Sequence, residues 1–141
     1  MAKIRILCFL SLDGCLLDRR SLSVLCDSAD KYGIGKIRKE ATRYLEEPVS
    51  FVSLSQWKQE ADGLALVESC PEALSLIGSL LRFDMADELV VYLYPAVQGG
   101  LRVFEEKPSP SFWKLTGSKS FRNGICRLSY SYAGCWRPAA L

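Results

Sequence analysis

The 141-residue sequence contains no histidine. That removes the commonest general base, the commonest metal ligand and the usual partner of a serine or cysteine nucleophile. Its six cysteines form no C-x-x-C pair and follow no regular spacing, so they read as reduced, mostly buried thiols rather than as a zinc or dithiol site. No metal site is expected. Chemistry therefore falls to a carboxylate, a bound water or a cofactor. Asp13 is one candidate: with Gly14 it ends an apolar run, as at a turn beside a ligand pocket. A second candidate is the cation cluster Lys36, Arg38 and Lys39 behind Gly35, at the expected start of a helix. Cations there oppose the helix dipole on a solvated surface, and become favourable when an anion sits beside them.

The elements that must position these residues follow from periodicity. Ile4 to Leu12 is a near-continuous apolar run, the pattern of a strand covered on both faces. Two basic residues at its start, Lys3 and Arg5, and Leu-x-Gly-Cys at its end also suggest a lipoprotein signal. Asp13, where small neutral residues belong, argues against that reading. A helix is expected from Ser21 to Ala29, a brief strand over Lys31 to Gly35 and a helix over Lys36 to Glu46. Strands are expected at Val49 to Leu54 and at Leu64 to Val67. Ser69 and Glu72 form the S-x-x-E pattern of a capping box, with Ala73, Leu76, Ile77, Leu80 and Leu81 at helical spacing behind it. Glu88 to Tyr94 reads as a strand. Asn123-Gly124 is the preferred dipeptide of a tight hairpin turn, and Cys126, Leu128 and Tyr130 alternate after it. Gly99-Gly100 reads as a strand bulge, and Trp57, Trp113 and Trp136 as core or interface residues.

A net charge of +2 gives no case for nucleic acid or an anionic membrane, and no apolar run reaches the length that spans a bilayer. A cytoplasmic location is expected. Strands alternating with helices before a closing hairpin predict a three-layer αβα domain. Its sheet is mixed and mostly parallel, with an antiparallel C-terminal hairpin, over residues 1–132; residues 133–141 are a patternless tail.

Several segments, in order, resemble the dihydrofolate-reductase-like family, in its branch that includes the reductase half of the bifunctional riboflavin-biosynthesis deaminase/reductase. They are "LSLDG" (Leu10 to Gly14), "ADKYGIGKIRKE" (Ala29 to Glu40), "MADELVVYLYPAVQGG" (Met85 to Gly100) with Arg102-Val103-Phe104, and "FWKLTGSKSFRNGICRLSY" (Phe112 to Tyr130). The resemblance implies NADPH-dependent hydride transfer to a pterin or pyrimidine-type heterocycle, a small-molecule substrate. It implies that Asp13 orients that substrate and that Gly35, Lys36 and Arg38 hold cofactor phosphate. It also implies a homodimer, with the aromatic-rich hairpin from Phe112 to Tyr132 as its surface.

The sequence departs from the family pattern at the cofactor. The family's glycine-rich turn is missing, and Glu68, Ser69, Cys70, Pro71 and Glu72 stand in its place. The middle of the chain is also short by about a strand and a helix. Glycines let the backbone approach a pyrophosphate, and free N–H groups at the following helix bind it. Pro71 has no N–H, and two carboxylates repel phosphate. The expectation is a shortened reductase with weakened NADPH binding; the alternative is a non-catalytic homodimeric relative that keeps the fold for binding or assembly.

Overall fold

The structure is a computed structural model that describes residues 1–104 and 110–135. The element order is β1 (Lys3–Ser11), α1 (Arg19–Cys26), α2 (Ala29–Tyr32), α3 (Ile34–Glu40), β2 (Arg43–Tyr44), α4 (Phe51–Glu60) and β3 (Leu64–Glu68). A 3-10 turn (Pro71–Ala73) then leads into α5 (Leu74–Arg82), β4 (Glu88–Tyr94), β5 (Ser111–Ser120) and β6 (Cys126–Cys135).

The strands form one six-stranded sheet in the order β2-β3-β1-β4-β6-β5. β1 pairs in parallel with β3 and β4, and β2 in parallel with β3. β6 runs antiparallel to β4, and β5 antiparallel to β6. The side chains of β1 explain the layering, because successive residues point to opposite faces. Ile4, Ile6, Cys8 and Leu10 pack with Leu54 of α4 and with Leu76, Ile77 and Leu80 of α5. Leu7 and Phe9 pack with Leu25 of α1, Tyr32 of α2, and Ile34 and Ile37 of α3. Two helical layers thus enclose the sheet, as the sequence predicts. No helix among the described residues is long and apolar enough to cross a membrane.

Three local expectations are corrected. Lys31 to Gly35 is not a strand: α2 stops at Gly33, whose φ of 77° is a left-handed cap, and α3 starts at Ile34. The helix expected to run to Glu46 ends at Glu40, and the chain then forms β2 against β3. Val49 to Leu54 is the start of α4, not a strand. The Ser50 hydroxyl caps it by accepting from the Ser53 N–H at 3.3 Å, and Phe51, Leu54 and Trp57 turn to the core. Beyond Tyr132, β6 continues to Cys135 into the segment read as tail. Trp136 and residues 137–141 lie outside the described residues.

Candidate functional site

In open α/β sheets, ligands bind at the carboxyl ends of the strands, where the chain reverses its direction across the sheet. Here that point lies between β1 and β4, since β2 and β3 fall on one side of β1 and β4 and the hairpin on the other. The loops that leave β1 and β4 are joined to each other. Leu12 N–H donates to the Ala96 carbonyl at 2.8 Å, Leu16 N–H to Leu101 at 2.8 Å and Val103 N–H to Gly14 at 3.2 Å. Gly14, at φ 78°, makes the turn that Asp13-Gly14 signals. Gly99 and Gly100 also have positive φ, but they lie in the loop after β4 rather than in a strand bulge.

Asp13 fastens this junction. Its carboxylate accepts from the Ser11 hydroxyl, from the Gly99 N–H at 2.9 Å and from the Gln98 N–H at 3.3 Å. The Ser11 hydroxyl first, and then the Gly99 N–H, hold its pKa well below the usual carboxylate range. Asp13 is therefore an ionised anchor for the 98–99 segment and is unsuited to donating a proton near neutral pH. Beside it the buried Cys15 Sγ lies 3.5 Å from Asp13 Oδ2. Burial, and then the Asp13 carboxylate, push that thiol's pKa up, away from the nucleophilic thiolate.

The turn from Glu68 to Glu72 borders a crevice of about 390 Å³ at the carboxyl end of β3. Its walls carry Tyr44, Leu45 and Leu76 together with four carboxylates, Glu46, Glu47, Glu68 and Glu72. The expected capping box does not form. The Ser69 hydroxyl turns inward and accepts from the Phe9 N–H at 3.0 Å, tying the turn to β1 instead. Cys70 occupies the cap position without a capping side-chain bond, and Pro71 follows at the start of the 3-10 turn.

Arg38 sits in the last turn of α3 with Lys39, where cations complement the dipole; the expected placement at a helix N-terminus is corrected. Its guanidinium does not stand open to a ligand. Nε donates to Glu68 Oε2 at 2.9 Å and Nη2 to Glu68 Oε1 at 2.8 Å. Those hydrogen bonds to Glu68 raise the Arg38 pKa further above its ordinary value. Gly35 and the exposed Lys36 lie in the first turn of α3, where a side chain at Gly35 would stand 3.1 Å from Asp30 Oδ1. Lys36 instead lines a second cavity, on the sheet face, with Arg5, Arg127 and Ser129. The four residues singled out in the sequence are thus divided among the β1–β4 junction, the first turn of α3 and an internal ion pair. What sequence reasoning missed is the pairing of Arg38 with Glu68, thirty residues apart.

A dinucleotide diphosphate does not fit this lining. The crevice offers carboxylates where phosphate needs donors, and the adjacent arginine is bonded to one of them.

No family model and no curated protein matches the sequence. Solved structures do. A structure from Shewanella sp. PV-4 described as a riboflavin biosynthesis protein aligns with a TM-score of 0.67 at 13% identity, covering 93% of this chain and 99% of that one. The Thermotoga maritima diaminohydroxyphosphoribosylaminopyrimidine deaminase/5-amino-6-(5-phosphoribosylamino)uracil reductase aligns at 0.66 and 12% identity, over 93% of this chain and 56% of its own length. Dihydrofolate reductase from Enterococcus faecalis, complexed with NADP(H), aligns at 0.54 and 10% identity, over 92% and 96%. This chain has the dihydrofolate-reductase-like fold that these structures share.

Proposed function

We propose that this chain is a non-catalytic relative of the dihydrofolate-reductase-like reductases, keeping their fold as a self-associating binding module without the dinucleotide. The observation that carries the reading is the crevice at the end of β3, where Glu46, Glu47 and Glu72 line the wall and Glu68 engages Arg38 through both oxygens. Support for self-association comes from the hairpin. On the sheet face that bears α4 and α5, Trp113 and Tyr130 are only partly buried, and Leu115, directly opposite Tyr130, is 51% exposed. β5 is also an edge strand of ten residues, with no strand on its outer side among the described residues. A second copy of the chain covers such a surface most economically.

The competing reading is an NADPH-dependent reductase of a pterin or pyrimidine-type heterocycle. It is favoured by the likeness to a dihydrofolate reductase whose structure contains NADP(H). A fluorescence titration with NADPH, run alongside sedimentation over a range of protein concentrations, separates the two. The expected result is no saturable binding at millimolar NADPH, and a dimer at micromolar protein. Micromolar affinity for NADPH would overturn the proposal and restore the reductase reading.

A further inference from the structure

We infer that Glu68 is an internal counter-ion occupying the fork of Arg38, and that among the four carboxylates of the crevice it is the one that directly takes the donors a phosphorylated ligand would need. The inference rests on the reading that the crevice takes no dinucleotide, and it assigns the residue responsible. Arg38 Nε and Nη2 reach the two Glu68 oxygens in parallel, at 2.9 and 2.8 Å. This is the fork geometry with which arginine also grips a phosphate. Both partners are rigidly placed. Glu68 is the last residue of β3, in register with Leu7 of β1. The Arg38 backbone is held by the Tyr44 hydroxyl, which donates to its carbonyl at 3.1 Å.

The pair lies at the surface, with side-chain exposures of 33% and 27%. Its carboxylate can therefore be removed without opening the core. An external phosphate in its place would meet the same two donors while lying against the crevice wall that Glu68 lines. Glu72 lines the same wall, but its side chain has no part in the fork. Its contribution, like that of Glu46 and Glu47, is diffuse repulsion, which separates it experimentally from Glu68.

The test is calorimetric titration of pyrophosphate into the full chain at low salt. Wild type is expected to show no saturable response, and Glu68→Ala to gain affinity by at least tenfold. Glu68→Gln, which keeps the side-chain volume, is a second route should the alanine variant fold poorly. The gain should vanish in Glu68→Ala/Arg38→Gln, and Glu72→Gln should stay close to wild type. Three results would each overturn the inference: a folded Glu68→Ala chain without the gain, a gain that survives loss of Arg38, or an equal gain in Glu72→Gln. Tight NADPH binding by wild type is a separate outcome, and it refutes the reading of the crevice itself.

Discussion

Replacing Tyr92 by phenylalanine tests how the C-terminal hairpin is fixed to the body of the fold. Tyr92 is fully buried, and its hydroxyl donates to the Tyr32 carbonyl at 2.5 Å. Arg127 of β6 reaches the same carbonyl at 3.4 Å, and Asn123 in the hairpin turn donates to the Tyr32 hydroxyl at 2.6 Å. Strand, helix and hairpin therefore meet at one residue of α2. Phenylalanine keeps the ring stacked on Phe9, with centroids 5.7 Å apart, so no cavity forms. What is lost is one short buried hydrogen bond, whose acceptor keeps only the longer contact from Arg127. The expected cost is about 1 to 1.5 kcal/mol. For a chain of this length that lowers Tm by about 4 °C. Urea and thermal melts followed by circular dichroism measure it, and hydrogen exchange should rise first in β5 and β6.

The pH dependence of the same variant supplies a sign. Burial raises the Tyr92 pKa in the folded chain. The unfolded chain ionises this tyrosine near its ordinary value of about 10, so the stability it contributes is complete below that pH. It is lost as the pH climbs through the raised folded value. The wild-type advantage over Tyr92→Phe should narrow above about pH 10. A variant with an unchanged urea midpoint, or an advantage that grows in alkali, would refute the account of the clasp.

Two further expectations follow. Cys8 is wholly buried, and burial pushes its pKa up to about 12, so in the native chain it should resist an aromatic disulfide reagent while Cys26 and Cys126, partly exposed, react; equal rates would contradict the packing. Asp13→Asn should leave the fold intact but speed hydrogen exchange at Gln98 and Gly99, whose N–H groups lose a charged acceptor. Because the folded Asp13 pKa is lowered, its stabilisation is present above the unfolded value near 4 and fades as pH falls below it, so the wild-type advantage over Asp13→Asn should shrink in acid.

Where a single physical signal decides an element, the sequence discloses it. β1 is an apolar run of the kind a doubly covered strand carries, β4 reads as a strand before Pro95, and Asn123-Gly124 closes its hairpin as its chemistry demands, with Gly124 N–H bonded to the Phe121 carbonyl at 3.0 Å. The errors fall where two signals compete. Tyr32 and Ile34 alternate like a short strand, yet both point to the core because Gly33 in the left-handed region ends one helical turn and admits the next. No side chain is tolerated there without displacing the Arg127 guanidinium, 2.7 Å from where a Cβ would stand. At Val49 to Leu54 the β-branched and aromatic composition hides a cap at Ser50 and a spacing that brings Phe51, Leu54 and Trp57 to one face. The candidate site depends on more than the tendency of each residue. By type alone Arg38 attracts phosphate and Glu68 repels it. Which of them answers the other is a tertiary fact, set by β3 and α3 meeting in space.

That pairing bears on where binding in this molecule resides. A ligand site keeps donors and acceptors unsatisfied until the ligand arrives, and a fold tolerates the cost only where function requires it. At the carboxyl end of this sheet the opposite holds. Asp13 is bonded to the loop after β4, the loops after β1 and β4 are bonded to each other, Ser69 is bonded back to β1, and Arg38 is closed on Glu68. Each of these contacts turns a potential ligand group into a contributor to stability. The last two strands differ, since Leu115 is exposed and Tyr130 only partly buried there. On the proposed reading the flank of the sheet is the working surface, and a partner that protects the 111–120 and 126–135 strands from exchange identifies it.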